Sequence, residues 1–256
     1  MFFCIREWVM VTSNKDKNVR RLRAAVAYAV WGMASLLISA PVSAALSESA
    51  FPAIQIPSAS GPVENAIGSD QVALVQYNSG HRNEAVRLWR TLAQQGDADA
   101  QFTLGVLYNR GGGGVDKDMI EAVRWYRKAA DQGHPIAQYN LGILYATGTG
   151  VVRDVHAAIQ WWRMAALQGH VESQFNLGLF YAEGTGIQPD PVEAVKWWNM
   201  AAKQGYAAAQ FNLGMMYMKG DGVDENQDEA VRLWRLSANQ GFAQAVGLLK
   251  ILHLDQ

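Results

Sequence analysis

The chain of 256 residues has a single cysteine, Cys4. It lies upstream of everything that reads as folded, so no internal disulfide is available there, and its context is wrong for lipid attachment. No serine, cysteine or carboxylate pair recurs beside a histidine in a spacing that makes a nucleophile or an acid–base dyad. Glycine-rich stretches such as Gly148-Thr149-Gly150 lack the Gly-Lys-Ser/Thr continuation of a phosphate loop. No reaction, cofactor or metal site is therefore expected. Beyond residue 40 nothing is long and apolar enough to span a membrane.

The first 44 residues have a different character. Arg6, Lys15, Lys17, Arg20, Arg21 and Arg23 make the start basic, Ala24 to Ala40 is apolar, and Val42-Ser43-Ala44 offers small residues for cleavage. These features predict an export signal; the alternative is a retained inner-membrane anchor. Seventeen residues at about 1.5 Å each cover about 26 Å, short of a hydrocarbon core of about 30 Å. The basic stretch is long for a signal, and Met10 offers a second possible start. Without this segment, six of 22 basic and two of 23 acidic residues go, leaving 16 against 21 and a net charge of −5. Nucleic acid, which needs a basic footprint, is not an expected partner. The expectation is a periplasmic or secreted protein, touching membrane only through an uncleaved N-terminus.

Four related phrases recur: Gln101-Phe102-Thr103-Leu104-Gly105, Gln138-Tyr139-Asn140-Leu141-Gly142, Gln174-Phe175-Asn176-Leu177-Gly178 and Gln210-Phe211-Asn212-Leu213-Gly214. A Gln-Gly pair ending at Gly96, Gly133, Gly169, Gly205 and Gly241 keeps the same step. A period in this range predicts a solenoid, whose functional part is a long surface. The Ser-, Ala- and Pro-rich stretch 45–62 reads as a flexible linker. The array then runs over 63–256: a degenerate helix pair at 63–96, full units at 97–133, 134–169, 170–205 and 206–241, and a capping helix at 242–254.

Each unit reads as two helices. Helix A carries Ala137, Leu141 and Leu144 at helical spacing, with Gly142 in mid-helix. Such a glycine costs about 1 kcal/mol against alanine, so its recurrence predicts close approach by another helix. The A helix ends at a glycine pair, as at Gly148 and Gly150. Helix B opens with capping chemistry: Asp118 with Glu121, Asp190 with Glu193, Asn226 with Glu229. Its predicted buried stripe includes Trp125, Trp161 and Trp197 with their flanking alanines. Trp162 and Trp198 would fill the joint to the next unit, or show their edges as platforms for glycans.

The unit from Ala137 through Leu141-Gly142 and Tyr145 to Val151, then Ala158-Ile159-Gln160-Trp161 to Ala165-Ala166-Leu167-Gln168-Gly169, resembles the Sel1-like repeat. The stretch 63–96 is more similar to the related tetratricopeptide repeat. The resemblance implies an all-α, right-handed α-solenoid of stacked antiparallel helix pairs, of the exported bacterial type. The first full unit departs from it with a glycine added at Gly111–Gly114, read as a longer, softer loop. Some secreted relatives staple each repeat with a disulfide; this chain has to rely on packing.

The same resemblance implies a non-enzymatic adaptor binding a protein or peptide, acting on a membrane sensor or an envelope assembly. Helix A carries a second apolar stripe: Phe102 and Val106, Tyr139 and Ile143, Phe175 and Leu179, Phe211 and Met215. By similarity to the tetratricopeptide groove these face the concave side, with Arg110, Glu183 and Lys219 extending its wall. The competing reading buries the stripe between units. His134 and His170 share a position with Tyr206 and Phe242, a substitution set that suits packing rather than metal. Asp221 to Asn226 lacks the ligand spacing of a calcium loop. Asn140, Asn176 and Asn212 are read as supporting the packing between units. Cell-wall glycan binding, or a hydrolase acting on cell wall or β-lactams, remain the alternatives.

Overall fold

The computed structural model describes residues 69–254, and among them the chain forms eleven α-helices. The expected signal or anchor, the expected linker and the expected start of the first helix pair at residue 63 lie outside the described residues. The only extended pairing among the described residues is an isolated bridge between Gly112 and Val115. The chain divides into two compact units, one ending at Gln204 and one beginning at Gly205.

The first unit contains α1 (Ser69–Asn78), α2 (Arg82–Gln94), α3 (Ala98–Arg110), α4 (Met119–Asp131), α5 (Pro135–Thr147), α6 (Val155–Leu167), α7 (Val171–Glu183) and α8 (Pro191–Lys203). Each packs on the next in chain order. The second unit contains α9 (Ala207–Lys219), α10 (Gln227–Asn239) and α11 (Ala243–Ile251), again packed in sequence. The fold is all-α, built of consecutive helix pairs.

The B helices start where capping chemistry starts them. Asp118 accepts from the N–H groups of Ile120 and Glu121, Asp154 from Ala157, Asp190 from Glu193 and Asn226 from Glu229. The reciprocal arm of the expected capping box is replaced. The N–H of each capping residue donates instead to the carbonyl of a helix A tyrosine: Asp118 to Tyr108, Asp154 to Tyr145, Asp190 to Tyr181 and Asn226 to Tyr217, at 2.7–2.9 Å. This bond closes the A-to-B loop at its base. The glutamate released from the box finds other partners; Glu193 accepts from the Trp197 Nε1 at 3.0 Å. The Gly111–Gly114 loop is likewise tied rather than soft, since Gly112 and Val115 exchange both backbone hydrogen bonds and Val115 is buried.

The mid-helix glycines mark close approach, as their recurrence predicts. A Cβ on Gly142 would collide with the Trp162 indole, one on Gly178 with Trp198 and one on Gly214 with Trp234. In the first full repeat Tyr126 fills the same seat above Gly105. The indole N–H groups donate to backbone carbonyls one turn before each glycine: Trp162 to Tyr139, Trp198 to Phe175 and Trp234 to Phe211, at 3.1–3.2 Å.

Trp162 and Trp198 each seat against the glycine of their own hairpin, and Trp162 also reaches the joint, its ring edge-on to Phe180 of the next repeat with centroids 4.9 Å apart. In the predicted stripe Trp125 and Trp197 are buried, and Trp161 is the exception. Trp162 is fully buried, whereas its neighbour Trp161 is half-buried. A step of about 100° per residue separates the two rings, and only one of them can face the glycine. An indole of about 200 Å² contributes up to about 5 kcal/mol by area.

Candidate functional site

The helix A phrase beginning with glutamine builds a polar seam between repeats. Gln138, almost fully buried, donates through Nε2 to the Ala130 carbonyl at the end of the preceding B helix, at 3.0 Å. Its Oε1 accepts from Gln168 Nε2, at the end of the following B helix, at 2.8 Å. Gln101 repeats the pattern with Ala93 and Gln132, and Gln174 with Ala166 and Gln204. In the second unit Gln240 donates to Gln210 at 2.8 Å. The two glutamine ladders of the sequence are thus two halves of one bond network. Recurrence alone could not reveal that they touch.

Helix A also begins on a side chain from the joint. His134 Nδ1 accepts from the Ala137 N–H at 3.1 Å, and its ring stacks on Phe102 of the preceding repeat with centroids 4.5 Å apart. His170 Nδ1 accepts from the Ser173 N–H at 3.3 Å, and its ring lies 4.7 Å from that of Tyr139. Burial pushes both imidazoles below their ordinary value, against an upward pull from Asp99 on His134 and from Glu172 on His170. Phe242 keeps the packing without the cap: its ring lies 5.6 Å from Phe211, and it makes no capping bond.

The expected groove residues therefore divide. Val106, Tyr139, Ile143 and Phe211 are buried, with Tyr139 and Phe211 in ring contact with the first residue of the next repeat. Phe102, Phe175, Leu179 and Met215 are half-buried, and Arg110, Glu183 and Lys219 are exposed. The stripe is most open on α7, where Phe175, Leu179 and Glu183 follow one another at four-residue spacing along one helical face. Asn140 and Asn176 are buried, as a packing role requires. The Tyr126 hydroxyl lies beside Asn140, and burial pushes the phenol well above its ordinary range.

The possible glycan platforms do not present their rings. Trp89, Tyr126, Trp162, Trp198 and Trp234 are all buried. A shallow cleft between α6 and the loop before α8 is lined by His156, Arg163, Tyr181, Ile187 and Asp190, with Arg163 donating to the Tyr181 hydroxyl at 2.6 Å. Exposed apolar side chains occur at Ile120, Val152, Leu167 and Val192. Among the described residues no three His, Cys, Asp or Glu side chains cluster as metal ligands, and no helix is long and apolar enough to cross a membrane.

Comparison with known proteins places this architecture. The model of the Sel1 repeat matches four times, at residues 98–134, 135–170, 171–206 and 207–242. A Sel1 repeat protein from Oxalobacter formigenes has a similar crystal structure, with TM-score 0.63 and 29% identity over 73% of this chain and 83% of that one. A protective antigen of uropathogenic Escherichia coli strains, described as displaying an SLR fold, superposes with TM-score 0.65 and 29% identity. That match covers 72% of this chain but only 45% of the antigen, so this chain spans less than half of its length. No curated protein matches the chain.

Proposed function

Because this chain belongs to the Sel1 repeat family, we propose that it is an exported, non-enzymatic scaffold that binds a protein or peptide along its A helices. The observation that carries this reading is the α7 line of Phe175, Leu179 and Glu183: two half-buried apolar side chains ending in an exposed charge. An amphipathic or extended peptide is held by such a face through apolar anchors and a charged rim. Export is supported by the basic and apolar character of residues 1–44. In a bacterial envelope, the periplasmic part of a membrane sensor or of an assembly machine is a partner of suitable kind. The rings expected as glycan platforms, Trp162 and Trp198 among them, are buried and offer no face to a sugar.

Crosslinking in intact cells followed by mass spectrometry tests this. The wild-type chain is expected to capture a protein partner, and Phe175→Ala with Glu183→Lys to lose it while circular dichroism stays unchanged. A folded double variant that keeps the partner sinks the α7 site. Recovery of polysaccharide with no protein sinks the scaffold reading.

A further inference from the structure

His134 and His170 occupy a position where two demands meet. Each ring packs against an aromatic side chain of the preceding repeat, and each supplies the hydrogen-bond acceptor that starts the helix of its own repeat. The acceptor is Nδ1, so the ring proton sits on Nε2 and the imidazole is neutral. Nε2 faces a carboxylate in both cases: Asp99 of α3 at 3.4 Å from His134, and Glu172 of the ring's own helix at 3.6 Å from His170. These carboxylates are the charged groups facing the two rings.

We propose that these two joints are a pH-responsive pair, in which protonation withdraws both helix caps and loosens α5 and α7 from the repeats before them. A proton from solvent adds to Nδ1, and the backbone N–H of Ala137 or Ser173 then points at another N–H. The resulting cation also sits at a helix N-terminus, where the macrodipole opposes positive charge. The carboxylates keep the cation accessible, because each can accept from Nε2–H once the ring is charged. The two joints are not equal. The Ser173 hydroxyl lies 3.1 Å from His170 Nδ1 and can rotate to accept from it, so His170 responds less than His134. The same position in the second unit is filled by Tyr206 and Phe242, neither of which makes a side-chain cap, so α9 and α11 carry no such switch.

The direction follows from the neutral folded form. Burial holds both rings below about 6.5, the ordinary histidine value. An opened joint therefore binds protons more readily than a closed one. The joints stay closed above about pH 6.5 and open progressively as the pH falls below it.

Amide hydrogen exchange by NMR on the whole chain, without any partner, tests this independently of the binding reading. Between pH 7.5 and 5.0, after correction for intrinsic rates, Ala137 is expected to lose protection by about fivefold to tenfold, the equivalent of one helix cap, and Ser173 by less. The Asp118-capped amides of Ile120 and Glu121 serve as the internal reference and should hold. His134→Asn with His170→Asn keeps a capping oxygen but cannot titrate, and should abolish the loss. Unchanged protection in the wild type, or an equal loss in the Asn double variant, overturns the proposal. Should that variant fold poorly, histidine 15N shifts of the wild type decide. Midpoints below 6.5 that track the Ala137 amide support the switch, and midpoints at or above 6.5 overturn it.

Discussion

Gln168 donates its side-chain amide to Gln138 across 2.8 Å, although thirty positions separate them in the chain. Gln138 in turn donates to the Ala130 carbonyl of the repeat before. One buried side chain thereby satisfies a helix C-terminus behind it and ties to the helix end ahead of it. The C-terminal carbonyls of a helix lack partners within it, and buried ones must find them elsewhere.

Replacing Gln138 with Ala should therefore cost more than replacing Gln168. The first removes two bonds at once, to the Ala130 carbonyl and from Gln168, at about 1–3 kcal/mol together, while that carbonyl keeps the Gly133 N–H. The second removes one bond, and water can take the place of the exposed Gln168 side chain at the Gln138 Oε1, so the cost is about 0.5–1.5 kcal/mol. Urea unfolding of both variants measures the difference, and equal losses would contradict the seam.

Trp162→Ala is expected to destabilise by about 3–5 kcal/mol, and Trp161→Ala by clearly less, because only Trp162 is fully enclosed. Gly142→Ala tests the same seat from the other side. Helix propensity favours the alanine by about 1 kcal/mol, but its Cβ meets the indole. Overpacking typically costs about 1–3 kcal/mol, so the net effect is destabilising or near neutral, never a clear gain. Thermal denaturation of the three variants gives the ranking.

Two glycines separate backbone strain from collision. Gly133 and Gly150 both have positive φ, at +91° and +69°, but a Cβ on Gly133 meets open space while one on Gly150 runs into the Met119 backbone carbonyl. Gly133→Ala should cost about 1–2 kcal/mol from the left-handed conformation alone. Gly150→Ala should cost more, since backbone cannot swing aside as a side chain can. Chemical denaturation that ranks them equally would show the loop yielding.

The histidine cap should be transferable. Phe242 has the same backbone conformation as His134, with φ near −66° and ψ near 109°, and packs on Phe211 as His134 packs on Phe102. Phe242→His should supply an acceptor to α11 at neutral pH. If the new ring is held neutral like His134, the gain is full above about pH 6.5 and disappears as the pH falls below it. Unfolding curves at pH 7.5 and 5.0, compared with the parent chain, read this out. A variant whose stability relative to the parent does not change with pH would count against the cap.

Much of the architecture can be read from the residues. The period, the glycine at the centre of helix A and the acidic residue opening helix B each have one local physical meaning, and the helices, the close contacts and the caps follow. What cannot be read is orientation among neighbours. Trp161 and Trp162 are equally apolar and adjacent, and the crossing of two helices decides which one meets Gly142. The aromatic stripe of Tyr139 and Phe211 is apolar whether a partner or the next repeat covers it, and here the next repeat does. A recurrent glutamine looks alike on a wet surface and in a buried seam. Only Phe175, Leu179 and Glu183 on α7 keep the pattern that the groove reading requires.

The glutamine seam has a bearing on how such a chain changes length. A copied segment of one period brings along the amide that reaches backward, the carbonyl that will be reached, and the second amide that locks them. It can be spliced between existing neighbours without asking either of them for a new bond. Growth or shrinkage by whole periods is therefore a small step for this sequence, and insertion of a fraction of a period is a large one.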